Sequence, residues 1–399
     1  MNIPFSPPFI GEEEINEVID TLRSGWITTG PKTKKFEKML SEYCNTDCTV
    51  CLNSATAALE LTLRLLGIGE GDEVISTAYT YTATVSVCYH LGATVRLVDC
   101  NAEDFLIDCD KIIPLINEHT KAIIAVDIAG VPCNYSKLSE IVENTRGIFN
   151  PSSDLQKAIG RVVLISDGAH SLGAIYKGKR ACTYADFTTF SFHAVKNLTT
   201  AEGGAVTFSH FDGVDTNELY RQYQLMSLHG QSKDALSKSK KGDWEYDVVA
   251  PLFKCNMTDI MASIGFRQLE KYDGFLARRK QIVEKYEYAF KDLPVILPKM
   301  SDEDFSSSYH LYLVLLTEND VEYRNKIIEY MASKDIACNV HYKPLPLLSA
   351  YKQLGFDIND YPVAYNKYVN EISLPIFNNM TDDQVDYVIE NFKMALEEV

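Results

Sequence analysis

The stretch TTFSFHAVKNLTTAEGGAV, residues 188–206, decides how this chain is interpreted. It begins as a run of β-forming residues and ends in a glycine pair before a second apolar pair, which is typical of strands near a loop. A single lysine, Lys196, stands between these two ends. A lysine placed there is either a solvated surface amine or a chemical reagent, and the surrounding sequence must distinguish the two.

The segments around this stretch predict an α/β fold. KAIIAVDIAG (residues 121–130) and RVVLISDGAH (161–170) are nearly continuous apolar runs, the pattern of parallel strands covered on both faces. Helical patterns separate such runs, which indicates βαβ units. After about Asn256 the pattern changes to long helices with few strands. We therefore predict a large α/β domain with a mostly parallel sheet over residues 1–265 and a smaller C-terminal α+β domain over residues 266–399.

Other segments give more local predictions. EEEINEVIDTLRSG (12–25) carries Ile15, Val18, Ile19 and Leu22 at helical spacing, with acids in its first turn and a final glycine. TDDQVDYVIENFKMALEEV (381–399) predicts a terminal helix capped by its threonine. ACNVHYKPLPLLSAYKQLG (337–355) predicts a strand followed by a loop.

Composition limits the classes of function. The 399 residues include 55 acidic and 38 basic side chains, a formal net charge of -17, which would repel nucleic-acid backbones. A pocket with local positive charge can still bind a small anion. The N-terminus has no signal-peptide pattern, and no apolar run approaches a membrane span. Ten scattered cysteines fit a reducing compartment, so we expect a cytoplasmic protein.

One cysteine cluster offers a distant alternative. Cys44, Cys48 and Cys51 in YCNTDCTVCLNS have a C-x3-C-x2-C spacing that resembles the iron–sulfur motif of radical-SAM enzymes. Short cysteine spacings are weak signals, and cysteine is a common buried residue. The favoured interpretation is therefore a short buried strand that enters the first loop of an α/β unit.

Lys196 and Asp167 both follow predicted strands. Open α/β sheets bind ligands at the carboxyl ends of their strands, so these two side chains of opposite charge could line one crevice. A lysine desolvated there can lose its proton near neutral pH and act as a nucleophile. The alternative is a surface lysine whose stem packs on apolar residues while its amine stays in water.

Two further segments could complete a binding site. In LNSATAAL (52–59), small residues at a helix start leave backbone N–H groups accessible to an anion, although a simple helix cap explains them as well. In TAYTYTAT (77–84), Tyr79 and Tyr81 follow a strand, and one of them could stack on a planar ring instead of filling the core. An amine, a carboxylate, an anion cup and a stacking ring are together the parts that a pyridoxal phosphate (PLP) site needs.

The whole chain resembles the DegT/DnrJ/EryC1/StrS sugar aminotransferases, a family of fold-type I PLP enzymes. The likeness begins at IPFSPPFIGEEEINEVIDTLRSGWITTGPKTKKFE (3–37) and passes through NSATAALELTL (53–63), GDEVISTAYTYTATV (71–85), SDGAHSLGA (166–174) and FSFHAVKNLTTAEGGAV (190–206). It continues through CNMTDIMASIGFRQL (255–269) and VHYKPLP (340–346) to ISLPIFNNMTDDQVDYVIENF (372–392). The resemblance implies a fold-type I aminotransferase with PLP as its cofactor.

The resemblance also implies roles for individual residues. Lys196 would bind PLP as a Schiff base and transfer protons during catalysis. The remaining cofactor contacts would be Asp167 at the pyridine nitrogen, Tyr81 on the ring face, His170 near the phenolic oxygen, and Ala55, Thr56 and Ser191 at the phosphate. Asn256 would reach the same phosphate from the neighbouring subunit of a homodimer, whose active sites lie at the interface. His229, His310, His341 and Tyr342 would lie near the acceptor pocket.

The implied reaction is ping-pong transfer of an amino group, with glutamate as donor, to a nucleotide-linked keto-sugar for surface polysaccharide or glycoconjugate synthesis. The family's usual acceptor is a 4-keto-6-deoxyhexose; branches that act on 3-keto sugars, on cyclitols or towards an aromatic amino acid precursor would keep the same PLP residues. Residues 144–160 and 231–247 are expected to be surface elaborations that could reshape the acceptor site or the dimer rim.

Overall fold

Helices and strands alternate along the first half of the chain. The computed structural model describes residues 1–232, 245–318 and 320–399. The strands are β1 (Cys48–Leu52), β2 (Glu73–Thr77), β3 (Thr94–Val98), β4 (Thr120–Val126), β5 (Val163–Asp167), β6 (Ile175–Tyr176), β7 (Lys179–Arg180), β8 (Phe187–Ser191), β9 (Gly204–Phe208), β10 (Val295–Ile296), β11 (Phe305–Ser306), β12 (Tyr312–Leu316) and β13 (Glu371–Leu374).

The helices are α1 (Glu12–Ser24), α2 (Pro31–Cys44), α3 (Ala55–Leu65), α4 (Ala83–His90), α5 (Cys109–Ile112), α6 (Tyr135–Glu143), α7 (Asp154–Ile159), α8 (Thr216–Ser227), α9 (Asp259–Glu270), α10 (Tyr272–Phe290), α11 (Val321–Ser333), α12 (Ser349–Gln353), α13 (Pro362–Asn370) and α14 (Asp382–Glu398). The longest helices, α10 and α14, lie in the C-terminal part of the chain. Within the described ranges, none of the helices is both long and apolar enough to cross a membrane.

The main sheet has seven strands in the order β1-β9-β8-β5-β4-β2-β3. Only β9 runs antiparallel to its neighbours, so the sheet is mostly parallel as predicted. Every residue of β2, β4 and β5 is buried. A strand buried on both faces is apolar throughout rather than alternating, which explains the continuous apolar runs in the sequence. The carboxyl ends of β4, β5 and β8 lie at one edge of the sheet.

A smaller antiparallel sheet, in the order β10-β12-β13, lies in the C-terminal part of the chain. Its core is formed with α10, α11 and α14 and includes Ile3 from the N-terminus. Ala364 of α13, conversely, belongs to the core of the main sheet. Because the two cores exchange residues along the chain, the division at residues 265/266 stays a prediction.

The local predictions have mixed outcomes. The α14 helix begins at the predicted cap, where the Thr381 hydroxyl accepts a hydrogen bond from the Gln384 N–H. The strand predicted after residue 337 is wrong, because that segment forms only an isolated bridge between Asn339 and Ser373.

Helix α1 is present as predicted and ends at Gly25, but its apolar residues face outwards. Ile15, Ile19 and Leu22 are 42%, 37% and 54% exposed, whereas Glu14 is buried. A row of apolar side chains on the outside of a helix is typical of a surface that another molecule covers.

The two predicted elaborations differ in what the structure says about them. Residues 144–160 include α7, which packs beside the end of α3 through Ser153, whose hydroxyl donates to the Leu66 carbonyl. None of the residues 144–160 lines the cleft described below. Residues 233–244, the greater part of the second elaboration, lie outside the described residues.

Candidate active site

A cleft of about 470 Å³ opens at the carboxyl ends of the parallel strands. This is where an open α/β sheet binds its ligand. The cleft is lined by ten of the predicted residues, namely Ala55, Thr56, Tyr81, Asp167, His170, Ser191, Lys196, His310, His341 and Tyr342. Segments separated by almost 300 residues in sequence therefore meet in one place, as the strand-end argument predicts.

Lys196 lies in the loop between β8 and β9, and its side chain points into this cleft. The loop is fixed by its backbone, since the Lys196 N–H donates to the His193 carbonyl at 2.9 Å. In the described part of the chain the Nζ atom has no hydrogen bond or ion pair. Burial lowers the pKa of the Lys196 amine to about 8, and the Asp167 charge opposes this shift. The Lys196 side chain therefore lines the cleft, which favours the reactive interpretation over the surface-lysine alternative, and its role as a nucleophile stays a prediction.

Asp167, the last residue of β5, faces Lys196 and is only 6% exposed. Its Oδ2 accepts a hydrogen bond from the Thr84 hydroxyl at 2.7 Å, and its Oδ1 accepts one from the Ala169 N–H at 3.2 Å. Burial raises the pKa of Asp167, while these two donors and Lys196 act against that rise. A buried carboxylate whose cationic neighbour is not in direct contact is suited to pair with a protonated ligand nitrogen.

The start of α3 lines the cleft, where the sequence predicts an anion cup. The Ser54 hydroxyl caps the helix by accepting from the Ala57 N–H at 3.1 Å, which leaves the N–H groups of Ala55 and Thr56 without intrahelical partners. A Cβ atom on Gly204 would come within 2.3 Å of the Ala55 nitrogen, so this position in β9 needs glycine to lie against the helix start. Ser191, at the end of β8, completes the cup from the other side.

His170 and Tyr342 form a hydrogen-bonded pair on one wall of the cleft. His170 Nδ1 accepts from the Ala129 N–H at 3.2 Å, so the proton of the neutral ring is on Nε2, which donates to the Tyr342 hydroxyl at 3.0 Å. Burial, with help from Lys196 and His341, lowers the pKa of His170 well below its ordinary value. The Tyr81 ring, 60% exposed, lies 6.1 Å from the Tyr342 ring at the mouth of the cleft.

The other two histidines of the cleft have fixed orientations. His310 packs against His170 with 4.4 Å between ring centroids and the ring planes tilted by 45°, and its Nδ1 is 2.8 Å from the Asn197 side-chain oxygen. His341 packs against Phe5 at 5.3 Å between ring centroids, and its Nδ1 is 2.8 Å from the Ser373 hydroxyl. Burial lowers the pKa of both rings. Both histidines are therefore neutral at physiological pH.

Asn256 and His229 do not line the cleft of their own chain. They lie on adjacent segments, since Leu228 and Lys254 form a bridge and the His229 N–H donates to the Phe253 carbonyl. His229 is exposed, whereas the Asn256 side chain is held by the Thr29 hydroxyl and the Met257 carbonyl. Their roles in the cleft stay predictions that need a second subunit.

The cysteine cluster does not converge on a point. Cys44 and Cys51 lie in one apolar core, and Cys48 lies in another on the other side of β1. Burial raises the pKa of the Cys48 and Cys51 thiols, and a hydrogen bond with Cys182, followed by burial, raises that of Cys44, so the thiolates that bind iron are disfavoured. In the described ranges no group of histidine, cysteine or acidic side chains is arranged to bind a metal. The geometry supports the buried-strand interpretation.

Several residues of the site are missed by the sequence reasoning. Thr84 bonds directly to Asp167 but precedes it by more than 80 residues, and no local pattern connects them. The Ser6 hydroxyl donates to the Val195 carbonyl at 3.0 Å, so the N-terminal segment supports the lysine loop. The one available signal was the resemblance of residues 3–37, which attaches this segment to the family without giving it a role.

Comparisons with known proteins agree with this geometry. The chain is 36% identical over 392 residues to the Bacillus subtilis spore coat polysaccharide biosynthesis protein SpsC, covering 97% of this chain and 95% of SpsC. One similar solved structure is Spr1654 from Streptococcus pneumoniae in its PMP form, which is described as a candidate sugar aminotransferase. It superposes with a TM-score of 0.97 at 54% sequence identity, and the match covers both chains in full. The Helicobacter pylori aminotransferase PseC, involved in pseudoaminic acid biosynthesis, has a TM-score of 0.87 at 28% identity, again over both full chains.

The sequence profile of one family matches residues 8–393, nearly the whole chain. That span contains every predicted site residue, and the fold-type I architecture expected from the resemblance is the one that the structure and its neighbours share. The chain belongs to the DegT/DnrJ/EryC1/StrS aminotransferase family.

Proposed function

We propose that this enzyme is a PLP-dependent sugar aminotransferase that moves an amino group from glutamate to a nucleotide-linked 4-keto-6-deoxyhexose. The observation that carries the proposal is the Lys196 amine, which has no partner in the described residues, directed into a cleft beside the buried Asp167 carboxyl. The Spr1654 structures, solved in PLP and PMP forms, support the cofactor. SpsC and PseC support a role in polysaccharide or glycoconjugate synthesis.

The residues present fit PLP. Lys196 would bind the aldehyde, Asp167 the ring nitrogen, and the N–H groups of Ala55 and Thr56 together with Ser191 the phosphate. When bound, PLP supplies an aldehyde that reacts with amines and a ring that withdraws electrons from the carbon beside the nitrogen. His170 holds the Tyr342 hydroxyl, and Tyr81, whose ring lies 6.1 Å from the Tyr342 ring, would cover the cofactor ring.

The protein groups have distinct tasks in this proposal. Because its pKa is lowered to about 8, the Lys196 amine can give up and take back a proton in the working pH range. Asp167, ionised by a cationic partner, would keep the ring nitrogen protonated. The neutral rings of His310 and His341 provide hydrogen bonds without adding positive charge beside Lys196.

A homodimer with shared active sites is part of the proposal. The outward apolar face of α1 offers a surface for a second copy, and exposed Val249 and Phe253 lie close to His229. In a dimer, Asn256 and His229 would reach the cleft of the partner. We also propose a cytoplasmic location, because all ten cysteines are unpaired in the structure.

The direct test is a substrate panel. Purified protein with PLP and glutamate is offered UDP-linked and dTDP-linked 4-keto-6-deoxyglucose, a 3-keto-6-deoxyglucose nucleotide and a keto-inositol, and products are identified by mass spectrometry. We expect amination of a nucleotide-linked 4-keto sugar and none with Lys196→Ala. Amination of the 3-keto sugar or the cyclitol alone would replace the proposed acceptor, and no amination of any ketone would overturn the proposal.

A further inference from the structure

A hydrogen-bond chain runs from the cleft into the protein behind His341. Glu371 and Ser373 are alternate residues of β13, so their side chains lie on the same face of the strand. The Ser373 hydroxyl lies 2.5 Å from Glu371 Oε1 and 2.8 Å from His341 Nδ1. Glu371 Oε2 accepts the His341 backbone N–H at 2.8 Å. One serine hydroxyl thus joins an imidazole to a carboxyl group.

Within the described residues, this series of hydrogen bonds is buried at Glu371 and Ser373 and reaches the cleft at His341. Glu371 and Ser373 are 0% exposed, whereas His341 lines the cleft. The His341 carbonyl accepts from the Tyr79 hydroxyl at 2.9 Å, and the Phe5 ring packs on the imidazole. His341 Nε2 has no partner among the described residues, so it is the nitrogen available to a molecule in the cleft.

This arrangement has two states that differ by one proton. With a protonated Glu371, the carboxyl donates to Ser373, the serine hydroxyl donates to Nδ1, and Nε2 carries the imidazole proton. With an ionised Glu371, the serine donates to the carboxylate, Nδ1–H donates to the serine, and Nε2 is an acceptor. The imidazole is neutral in both states, and only its tautomer changes.

We propose that Glu371 and Ser373 form a proton relay behind His341, which stores a proton beneath the cleft and delivers it to the keto oxygen of the acceptor. This inference rests on the proposed function, because a keto oxygen that is replaced by an amino group leaves as water, and a general acid assists that departure. The Nε2–H bond breaks as the substrate O–H bond forms, the serine proton moves to Nδ1, and the Glu371 proton moves to Ser373. The negative charge remains on Glu371, and one proton taken back at Nε2 resets the relay.

The charged and polar groups around Glu371 and His341 favour a protonated Glu371 carboxyl and a neutral His341 imidazole. Glu371 is faced by Arg324 and by the uncharged Cys338, Tyr79 and Tyr342, while Lys196 faces His341. Burial raises the pKa of Glu371 to about 8, against the effect of Ser373, the His341 N–H and Arg324. Burial and then Lys196 lower the pKa of His341 to about 4. The stored proton therefore resides on Glu371 at neutral pH, and an imidazolium is disfavoured.

The test reads the tautomer of His341 directly. The PLP-bound protein, labelled with ¹⁵N-histidine in a deuterated background, is titrated from pH 6 to pH 10, and the His341 signals are assigned with His341→Gln. We expect the Nε2–H tautomer below about pH 8 and the Nδ1–H tautomer above it, without imidazolium. A His341 tautomer that stays the same from pH 6 to pH 10 would overturn the relay.

Matched variants separate the relay from a structural role. Glu371→Gln should abolish the tautomer change, and Ser373→Ala should uncouple it from Glu371, each lowering turnover at least about 10-fold as general-acid assistance is lost. Glu287→Gln, a half-buried carboxyl outside the relay, and Ser76→Ala, a buried strand serine bonded to a carbonyl, should keep both the change and the turnover. Persistence of the pH-dependent change in Glu371→Gln would contradict the proposal.

The proposed aminotransferase function and the proposed proton relay are refuted by different results. If the keto-sugar panel gives no product, the proposed function fails, and the tautomer titration still decides whether the relay exists. If the wild type aminates a keto sugar while its His341 tautomer stays fixed, the function stands and the relay is refuted.

Discussion

Replacing Thr84 by valine removes one hydroxyl from the wall of the site and little else. Thr84 is 0% exposed in α4, and its hydroxyl lies 2.7 Å from Asp167 Oδ2. Valine has nearly the same shape, so the helix and its packing should persist. The substitution removes this hydrogen bond to Asp167 together with the one between the Thr80 and Thr84 hydroxyls at 2.8 Å, and only the first of them bears on the ionised form of Asp167.

The size of the effect on PLP binding follows from the contact with Asp167. A buried hydrogen bond to a charged group contributes about 1.5–3 kcal/mol. Losing it should raise the pKa of Asp167 further, because the ionised form loses a donor. If the ionised carboxylate pairs with the ring nitrogen of PLP, the dissociation constant of PLP should increase about 10- to 100-fold.

The assay is a titration of the cofactor-free protein with PLP, followed by absorbance, in parallel with urea unfolding. Thr62→Val is the matched control, because Thr62 is an equally buried helical threonine whose hydroxyl contacts only the Ala58 carbonyl and the Tyr223 hydroxyl. We expect weaker PLP binding for Thr84→Val and wild-type binding for the control. Equal PLP affinity in both variants would refute the proposed pairing of Asp167 with the cofactor.

Three further outcomes are expected. Burial lowers the pKa of Lys196 to about 8, so the unprotonated amine becomes more abundant as the pH rises towards that value. The rate of PLP attachment to cofactor-free protein, measured by stopped-flow, should therefore rise about tenfold per pH unit below pH 8 and level off above it. A rate that does not change from pH 6 to pH 9 would contradict this. Arg279 is 1% exposed and donates to the Asn378 side chain and to carbonyls that include those of Tyr309 and His310. Arg279→Met leaves these acceptors unpaired and should lower the free energy of unfolding in urea by about 3 kcal/mol. A loss below about 1 kcal/mol would show that the carbonyls find other donors. If Asn256 serves the partner's cleft, a mixed dimer of one Lys196→Ala subunit and one Asn256→Ala subunit contains one doubly defective site and one intact site. Such dimers should recover about half the wild-type activity. Activity no higher than that of the Asn256→Ala parent would contradict shared sites.

The sequence alone predicts the part of the cleft that is formed by residues after strand ends. Lys196 and Asp167 follow strands of a parallel sheet, and because such strands end at one edge, their meeting in one cleft follows from topology alone. The helix start at Ser54 is predictable from sequence because its small residues form a local pattern, and its role as an anion cup stays a prediction. The resemblance then gave the roles that geometry alone leaves open.

The sequence was insufficient where a role depends on a distant contact or a second molecule. Thr84 and Glu371 have no local signature, and an acidic residue in a sequence is expected at the surface, whereas Glu371 is wholly buried. The helical spacing in α1 predicted the helix but not the side to which its apolar face turns. Asn256 and His229 lie outside the cleft of their own chain, so a single sequence gives no geometry for them.

Lys196 is expected to carry the cofactor. The protein is purified with PLP, reduced with borohydride and digested, and the peptide bearing the pyridoxyl group is identified by mass spectrometry, with Lys254→Ala as a control for a second lysine whose pKa burial lowers. We expect one labelled site, at Lys196, in both the wild type and the control. A label at another lysine, or no label after reduction, would contradict the account.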